Sequence, residues 1–247
     1  MGFESVKKHI CLLLAFCLIF ALAGCKAKVD PETAQAIQDA QAALQAAEEG
    51  DSAEAEEEAK DNAYAQAGLT PVPEDDPLWA DVEKELPAIA QLLAYKATFP
   101  DTFDENEPSA DDFWTVTGMG VTAVPPENAT DFNKINHVKR AVVLDYAAAL
   151  LPGYAAGGAA PKLEDVYGVS DNPKSDIIDI DGLSINVTPT AVLLGTDEKN
   201  GGTVLRVHIE DKEGLIEKTD WDVLIEPWGD EAEYELPLVV KLFYSVN

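Results

Sequence analysis

From Pro77 onward, apolar and polar positions alternate with two distinct periods. Leu78, Trp79, Val82, Leu86, Ile89, Leu92 and Leu93 recur at spacings of one, three or four, which gives one apolar helical face. Pro87 lies inside this stretch and lacks a backbone donor, so it predicts a kink or break there. Ser109-Ala110-Asp111-Asp112 has the chemistry of a helix N-cap and precedes Phe113, Trp114, Val116 and Met119, a short second helix. Ile135, Val138, Val142, Val143, Tyr146 and Leu150 place a third helix between Phe132 and Leu151, stopped by Pro152-Gly153. The Gly/Ala-rich run 154–161 reads as a loop.

The period then changes to two. Ile178 and Ile180 are expected to meet Leu183, Ile185 and Val187 across the turn Asp181-Gly182. Ala191 to Leu194 continue that sheet past Pro189, and Asn200-Gly201-Gly202 supplies a second turn. Beyond it Leu205, Val207 and Ile209 alternate with Arg206, His208 and Glu210. Trp221, Val223 and Ile225 form another strand, and Leu238, Val240, Leu242, Tyr244 and Val246 the last. The predicted fold class is α+β: about three helices, then an antiparallel sheet of about five strands with the helices on one of its faces. This order of elements resembles that of the cone-shaped NTF2-like fold, in which helices cap a curved sheet and leave a pocket; no motif accompanies the likeness.

Residues 26–76 have a different texture, with 14 acidic residues, three Lys and 14 Ala, and few large apolar side chains. Asp30-Pro31-Glu32 reads as a helix start and Gly50 as its stop; a second helical stretch runs from about Ser52 to Ala67 and ends at Gly68. The predicted organisation is therefore a leader 1–24, an Ala/Glu-rich tether 25–76, helical or disordered, and a single domain 77–247.

The leader carries the clearest chemistry. Lys7, Lys8 and His9 precede an uninterrupted apolar run of 14 residues, Ile10 to Ala23. A spanning helix needs about 20 apolar residues, so the run fits the core of a signal peptide. It closes on Leu22-Ala23-Gly24-Cys25, and here the chain resembles bacterial lipoproteins, whose lipobox has Leu, two small residues and Cys. The resemblance covers about the first 25 residues. It implies cleavage before Cys25, acylation of Cys25 (palmitate-type chains on its sulfur and amine), and a location outside the cytoplasm on a bacterial membrane. Lys26, rather than Asp, follows the Cys; the resemblance then implies the outer membrane in a two-membrane cell and the outer face of the cell membrane in a one-membrane cell. Cys11 and Cys17 leave with the leader and Cys25 takes lipid, so disulfides, Cys-ligated metals and thiol nucleophiles are not expected in the mature chain.

Charge narrows the partners. With 46 Asp/Glu against 17 Lys/Arg the net charge is −29, which argues against nucleic acid and against a polybasic lipid-binding face. The acidity is not confined to the tether, because residues 77–247 hold 31 acids against 12 bases. His137 and His208 lie far apart without metal-ligand spacing, and both read as surface residues. Asp176, Asp179 and Asp181-Gly182 fail the EF-hand pattern, with Ile177 first and Thr188 last. Gly118-x-Gly120-x-x-Ala123 runs into Val124-Pro125-Pro126 and leaves no long helix to receive a dinucleotide phosphate. Trp79, Trp114 and Trp221 fall in core phase, whereas Trp228, in Glu226-Pro227-Trp228-Gly229-Asp230, sits on a turn and is the one ligand-contact candidate. Catalytic residues, metal ligands and cofactors are not assigned.

The expected function is a lipid-anchored, non-catalytic binding or interaction module for an unknown small molecule or protein partner. The alternatives are a carboxylate-based hydrolase of the cell envelope and a structural envelope component.

Overall fold

The protein was analysed as a computed structural model, which describes residues 59–127, 129–132, 135–154, 158–172, 175–197, 201–214, 216–217, 219–228 and 236–244. The chain divides into two compact units, Met1–Lys60 and Asp61–Asn247. The leader, Cys25 and the helix expected from Asp30 lie outside the described residues.

The second unit begins earlier than the predicted boundary at Pro77. Helix α1 is described over 59–67 and ends at Gly68, whose φ of +65° lets the Leu69 N–H reach back to the Tyr64 carbonyl at 3.0 Å. Tyr64 and Leu69 are buried against Leu193 and Val204. The Tyr64 hydroxyl donates to the Leu194 carbonyl and accepts from its N–H. Strand β1 (Thr70–Pro71) then pairs with Thr196 and Gly195. The end of the expected tether is thus part of the globular unit. The few large apolar residues of a polar stretch are the ones that dock it.

Three helices follow as the main covering layer. α2 (Leu78–Thr98) runs unbroken through Pro87. A mid-helix proline costs about 3 kcal/mol, and here Val82, Ile89, Leu92 and Leu93, each at most 1% exposed, outweigh it by burial. α3 (Ala110–Ala123) starts at Ser109, whose Oγ accepts the Asp112 N–H, as the sequence predicts. The third helix is shorter than predicted: Thr130–Phe132 (β2) and Ile135–Lys139 (β3) are an antiparallel pair, and α4 spans only Arg140–Leu150. The apolar residues of β3, Ile135 and Val138, are spaced three apart as in a helix, and tertiary pairing overrides that spacing: Val138 lies opposite Ile178, both buried.

The strands form two sheets where one was expected, and β2 and β3 belong to the smaller. Strands β4 (Val169–Asp171) and β5 (Ile177–Asp181) complete it in the antiparallel order β2-β3-β5-β4. β6 (Val187–Thr196), β7 (Thr203–Asp211), β8 (Asp220–Pro227) and β9 (Leu238–Tyr244) form the larger, in the antiparallel order β1-β6-β7-β8-β9. This is the five-stranded antiparallel sheet of the predicted α+β fold. The turn at Asp181-Gly182 does not close the expected hairpin, because β5 already has β3 and β4 on its two sides. Residues 182–186 instead carry the chain from one sheet to the other.

One core joins α2, α3 and α4 to the inner faces of both sheets. α1 covers part of the opposite face of the larger sheet, through Tyr64 on Val204, so the helices are not confined to one face. Pro189 and the bulge between Ala191 and Leu193 interrupt β6 where β1 does not cover it, a device that discourages pairing with another chain.

The link between the sheets is pinned by Gln91 of α2. Its Nε2 donates to the Ile185 carbonyl at 3.0 Å and its Oε1 accepts the Ile185 N–H at 2.7 Å, a side chain acting as a strand partner. Gln91→Leu keeps the volume and leaves the Ile185 N–H without that acceptor. The expected cost is about 1–3 kcal/mol, a melting point lower by about 2–12 °C. Hydrogen exchange at the Ile185 amide checks the assignment, since its protection should be lost first.

Candidate functional site

The chemistry-bearing side chains gather in three places. The first is the outer face of the smaller sheet. Cross-strand register sets His137, Asp179 and Ser170 in one row over β3, β5 and β4. His137 Nδ1 lies 2.7 Å from Asp179 Oδ1, both partly exposed. His137 is therefore on a strand, where the sequence predicts a surface helix residue. The partner is 42 residues away, and only the register of β3 on β5 brings the two together. At the rim, Arg140 reaches Asp171 at 2.7 Å, receives Asp176 at 3.9 Å and stacks over the Trp114 ring at 5.7 Å.

The second place is the outer face of the larger sheet, beyond the area under α1. Arg206 makes two bonds to Asp222, Nε–Oδ1 at 2.7 Å and Nη2–Oδ2 at 3.0 Å, with Asp222 only 7% exposed. The hydrogen bond to Asp222 leads the effects that hold the Arg206 guanidinium above its usual range. His208 pairs with Asp220 at 2.9 Å one register step along. Both histidines of 77–247 thus pair through Nδ1 with an aspartate across an antiparallel pair of strands.

The third is inside. Glu85 of α2 is fully buried; its Oε2 accepts the Leu238 N–H at 2.8 Å, and its Oε1 has no hydrogen-bond partner among the described residues. Burial is the main reason its carboxyl is held well above the usual range, with nearby Asp81 adding to the effect and the Leu238 N–H and Lys84 opposing it. The sequence carried a signal for this residue: Glu85 is three after Val82 and four before Ile89, inside the apolar stripe of the helix. A smaller polar knot joins α2 to α3, where Asp112 accepts both the Tyr95 hydroxyl and the Ser109 hydroxyl at 2.6 Å. Burial and the Asp112 carboxylate push the Tyr95 phenol up.

The residues singled out in the sequence are distributed differently. Trp228 leaves β8 half-buried and packed against the main core, with its backbone N–H donating to the Pro237 carbonyl at 3.0 Å. Trp114 and Trp221 are buried and Trp79 is partly so, all on the same core. Gly118 and Gly120 are close-packing positions: a Cβ at Gly118 would lie 3.0 Å from Val169, and one at Gly120 would lie 2.4 Å from Leu150. Asp176, Asp179 and Asp181 do not converge. Among the described residues there is no cluster of three or more His, Cys, Asp or Glu placed to hold a metal ion, and no helix long and apolar enough to cross a membrane. Cys25 lies outside the described residues.

Comparison of the chain with known protein families, with curated proteins and with solved structures gives no match.

Proposed function

We propose that the protein is a lipid-anchored extracytoplasmic module that binds a small molecule or a protein partner without catalysing a reaction. The observation that carries this reading is Leu22-Ala23-Gly24-Cys25 at the close of a 14-residue apolar run. Two or three acyl chains on one cysteine suffice to hold a chain at a membrane where a single chain does not. With the compact second unit beginning at Asp61, the 35 residues 26–60 act as the spacer from the lipid. Fully extended they would reach at most about 120 Å.

The non-catalytic part of the reading is supported by the partners of the polar groups. His137, His208 and Arg206 are engaged with aspartates on the sheet faces, and Asp112 with hydroxyls. Glu85, a fully buried acid, is sealed in the core away from water. A net charge of −29 favours cationic partners kinetically and repels anionic ones.

The test has two arms. Labelled palmitate supplied to cells should enter the chain and partition it into detergent. A thermal-shift screen of residues 26–247 against Ca²⁺, a basic peptide and cell-wall sugars should find a ligand. One present at about 100 times its dissociation constant adds about 2.7 kcal/mol, a rise of about 5–10 °C. An unlabelled chain overturns the anchor. A melt that none of these probes shifts removes the small-ligand reading and leaves a protein partner or a structural role.

A further inference from the structure

We propose that Glu85 is a proton-dependent latch, whose neutral carboxyl fastens the first residue of β9 to α2 and whose ionisation lets the start of that strand open. Three features of the fold place the latch there. Glu85 is fully buried on the central helix and bonds the backbone of Leu238, the opening residue of β9. Its second oxygen has no partner among the described residues, so an ionised carboxylate would need water that the closed core does not admit. β9 is an edge strand of its sheet, with β8 as its one strand neighbour, whereas α2 is a 21-residue helix buried along one face. The edge gives way first.

Among the described residues, the charges that act on Glu85 are those of its own helix, Asp81 opposing ionisation and Lys84 favouring it. The elements packed against α2 add little. β6 carries no charged residue. On β9, Lys241 alternates with the core-facing Val240 and pairs with Glu226 at 3.1 Å on the far face of the sheet. On β7, Arg206, His208 and Glu210 alternate with Leu205, Val207 and Ile209, and Asp211 turns onto the Glu213 and Ile216 amides. Asp111 and Asp112 of α3 sit beside Tyr95, ten residues further along α2, about 15 Å from Glu85. On α4, Arg140 is bonded to Asp171, Asp145 acts on Tyr154, and the Tyr146 hydroxyl donates to the Val124 carbonyl.

The sign follows from the burial. A carboxyl that is easier to keep protonated when folded than when unfolded contributes stability that is whole below its unfolded range. That stability is lost as pH rises through the folded value. Opening at Leu238 is therefore a response to rising pH, and it uncovers Leu236 and Leu238, both buried when closed.

The experiment is hydrogen exchange of the mature chain, purified in mild detergent, from pH 5 to pH 9 and corrected for the intrinsic rate. In the wild type, protection of the amides at 238–240 should fall by about tenfold per pH unit as pH rises above the ordinary carboxylate range, and level off once Glu85 ionises in the closed state, while α2 stays protected. Glu85→Gln keeps an acceptor for Leu238 and cannot ionise, so its protection there should not depend on pH. A wild type whose corrected protection at 238–240 is flat with pH overturns the latch, as does a Glu85→Gln chain that falls in parallel. Should that variant fail to fold, the carboxyl ¹³C titration of Glu85 in the wild type decides. A titration above the usual carboxylate range, in step with the Leu238 amide, supports the latch; one within that range overturns it.

Discussion

Gly153→Ala is expected to lower the melting temperature of the protein by about 6–12 °C, a loss of about 3 kcal/mol. The cause is a main-chain approach. A Cβ at Gly153 would sit 1.6 Å from the Asn106 carbonyl oxygen and 2.4 Å from its carbon. Neither side yields easily. The Asn106 N–H is tied to Asp104 Oδ1, and the preceding loop is held by Lys96, which bonds the Phe103 carbonyl at 2.6 Å and pairs with Glu105 at 2.8 Å. Phe103 is itself buried, its ring edge-on to Tyr95. On the other side, Gly153 lies between Leu151, buried at the end of α4, and Tyr154, whose ring packs on Phe113. The chain must therefore separate the α2–α3 loop from the end of α4.

Gly214→Ala supplies the contrast, because Gly214 has a φ of +68° but nothing within 4 Å of an added Cβ. Its cost is that of the left-handed backbone alone, about 1 kcal/mol. Thermal melts of the two variants beside the wild type check the argument. A Gly153→Ala chain that melts no lower than Gly214→Ala would mean that the Asn106 contact is not kept in solution.

The legible parts of the fold were those in which local pattern and tertiary partner agree. Ser109 announces α3 because its cap is local, and the alternation over Leu205, Val207 and Ile209 gives β7 because one face of that strand is core. The misread segments share one physical cause. The stretch 135–143 carries apolar residues at helical spacing, and Val138 is nevertheless a strand residue because it pairs with Ile178, 40 positions on. Asp181-Gly182 has hairpin chemistry, yet a turn makes a hairpin only when the strand before it has a free edge; β5 has none. Tyr64 and Leu69 looked like incidental residues of an acidic tether, because burial under a sheet formed by residues 130 positions away leaves no local mark.

The candidate chemistry divides in the same way. Glu85 stands in helical phase with Val82 and Ile89, so its burial was readable, but its bond to Leu238, 153 residues away, was not. The His137–Asp179 and His208–Asp220 pairs depend entirely on register, since a slip of one residue would have put each histidine on the opposite face.

Cys25→Ser is expected to abolish acylation and to leave the chain uncleaved, if the proposed anchor is right. The lipid acceptor is a thiol sulfur, and a serine hydroxyl differs from it by one atom while remaining far less nucleophilic at neutral pH. The substitution therefore removes the chemistry with almost no change in size at the junction after Gly24. The precursor should keep its 24 leader residues, a mass difference visible on a gel, and should take up no labelled palmitate. Because each buried methylene contributes about 0.8 kcal/mol to membrane binding, losing two or three acyl chains removes the anchor rather than weakening it. The uncleaved leader, with 14 apolar residues, is too short to replace it as a spanning helix, so the variant should extract from membranes more readily than the wild type. Cys17→Ser is the control. Cys17 lies within the apolar run and has no acceptor role in this scheme, so its variant should be labelled and cleaved like the wild type. Label retained on Cys25→Ser, or lost from Cys17→Ser, would place the acyl acceptor elsewhere and remove the one sequence feature on which the proposed location depends.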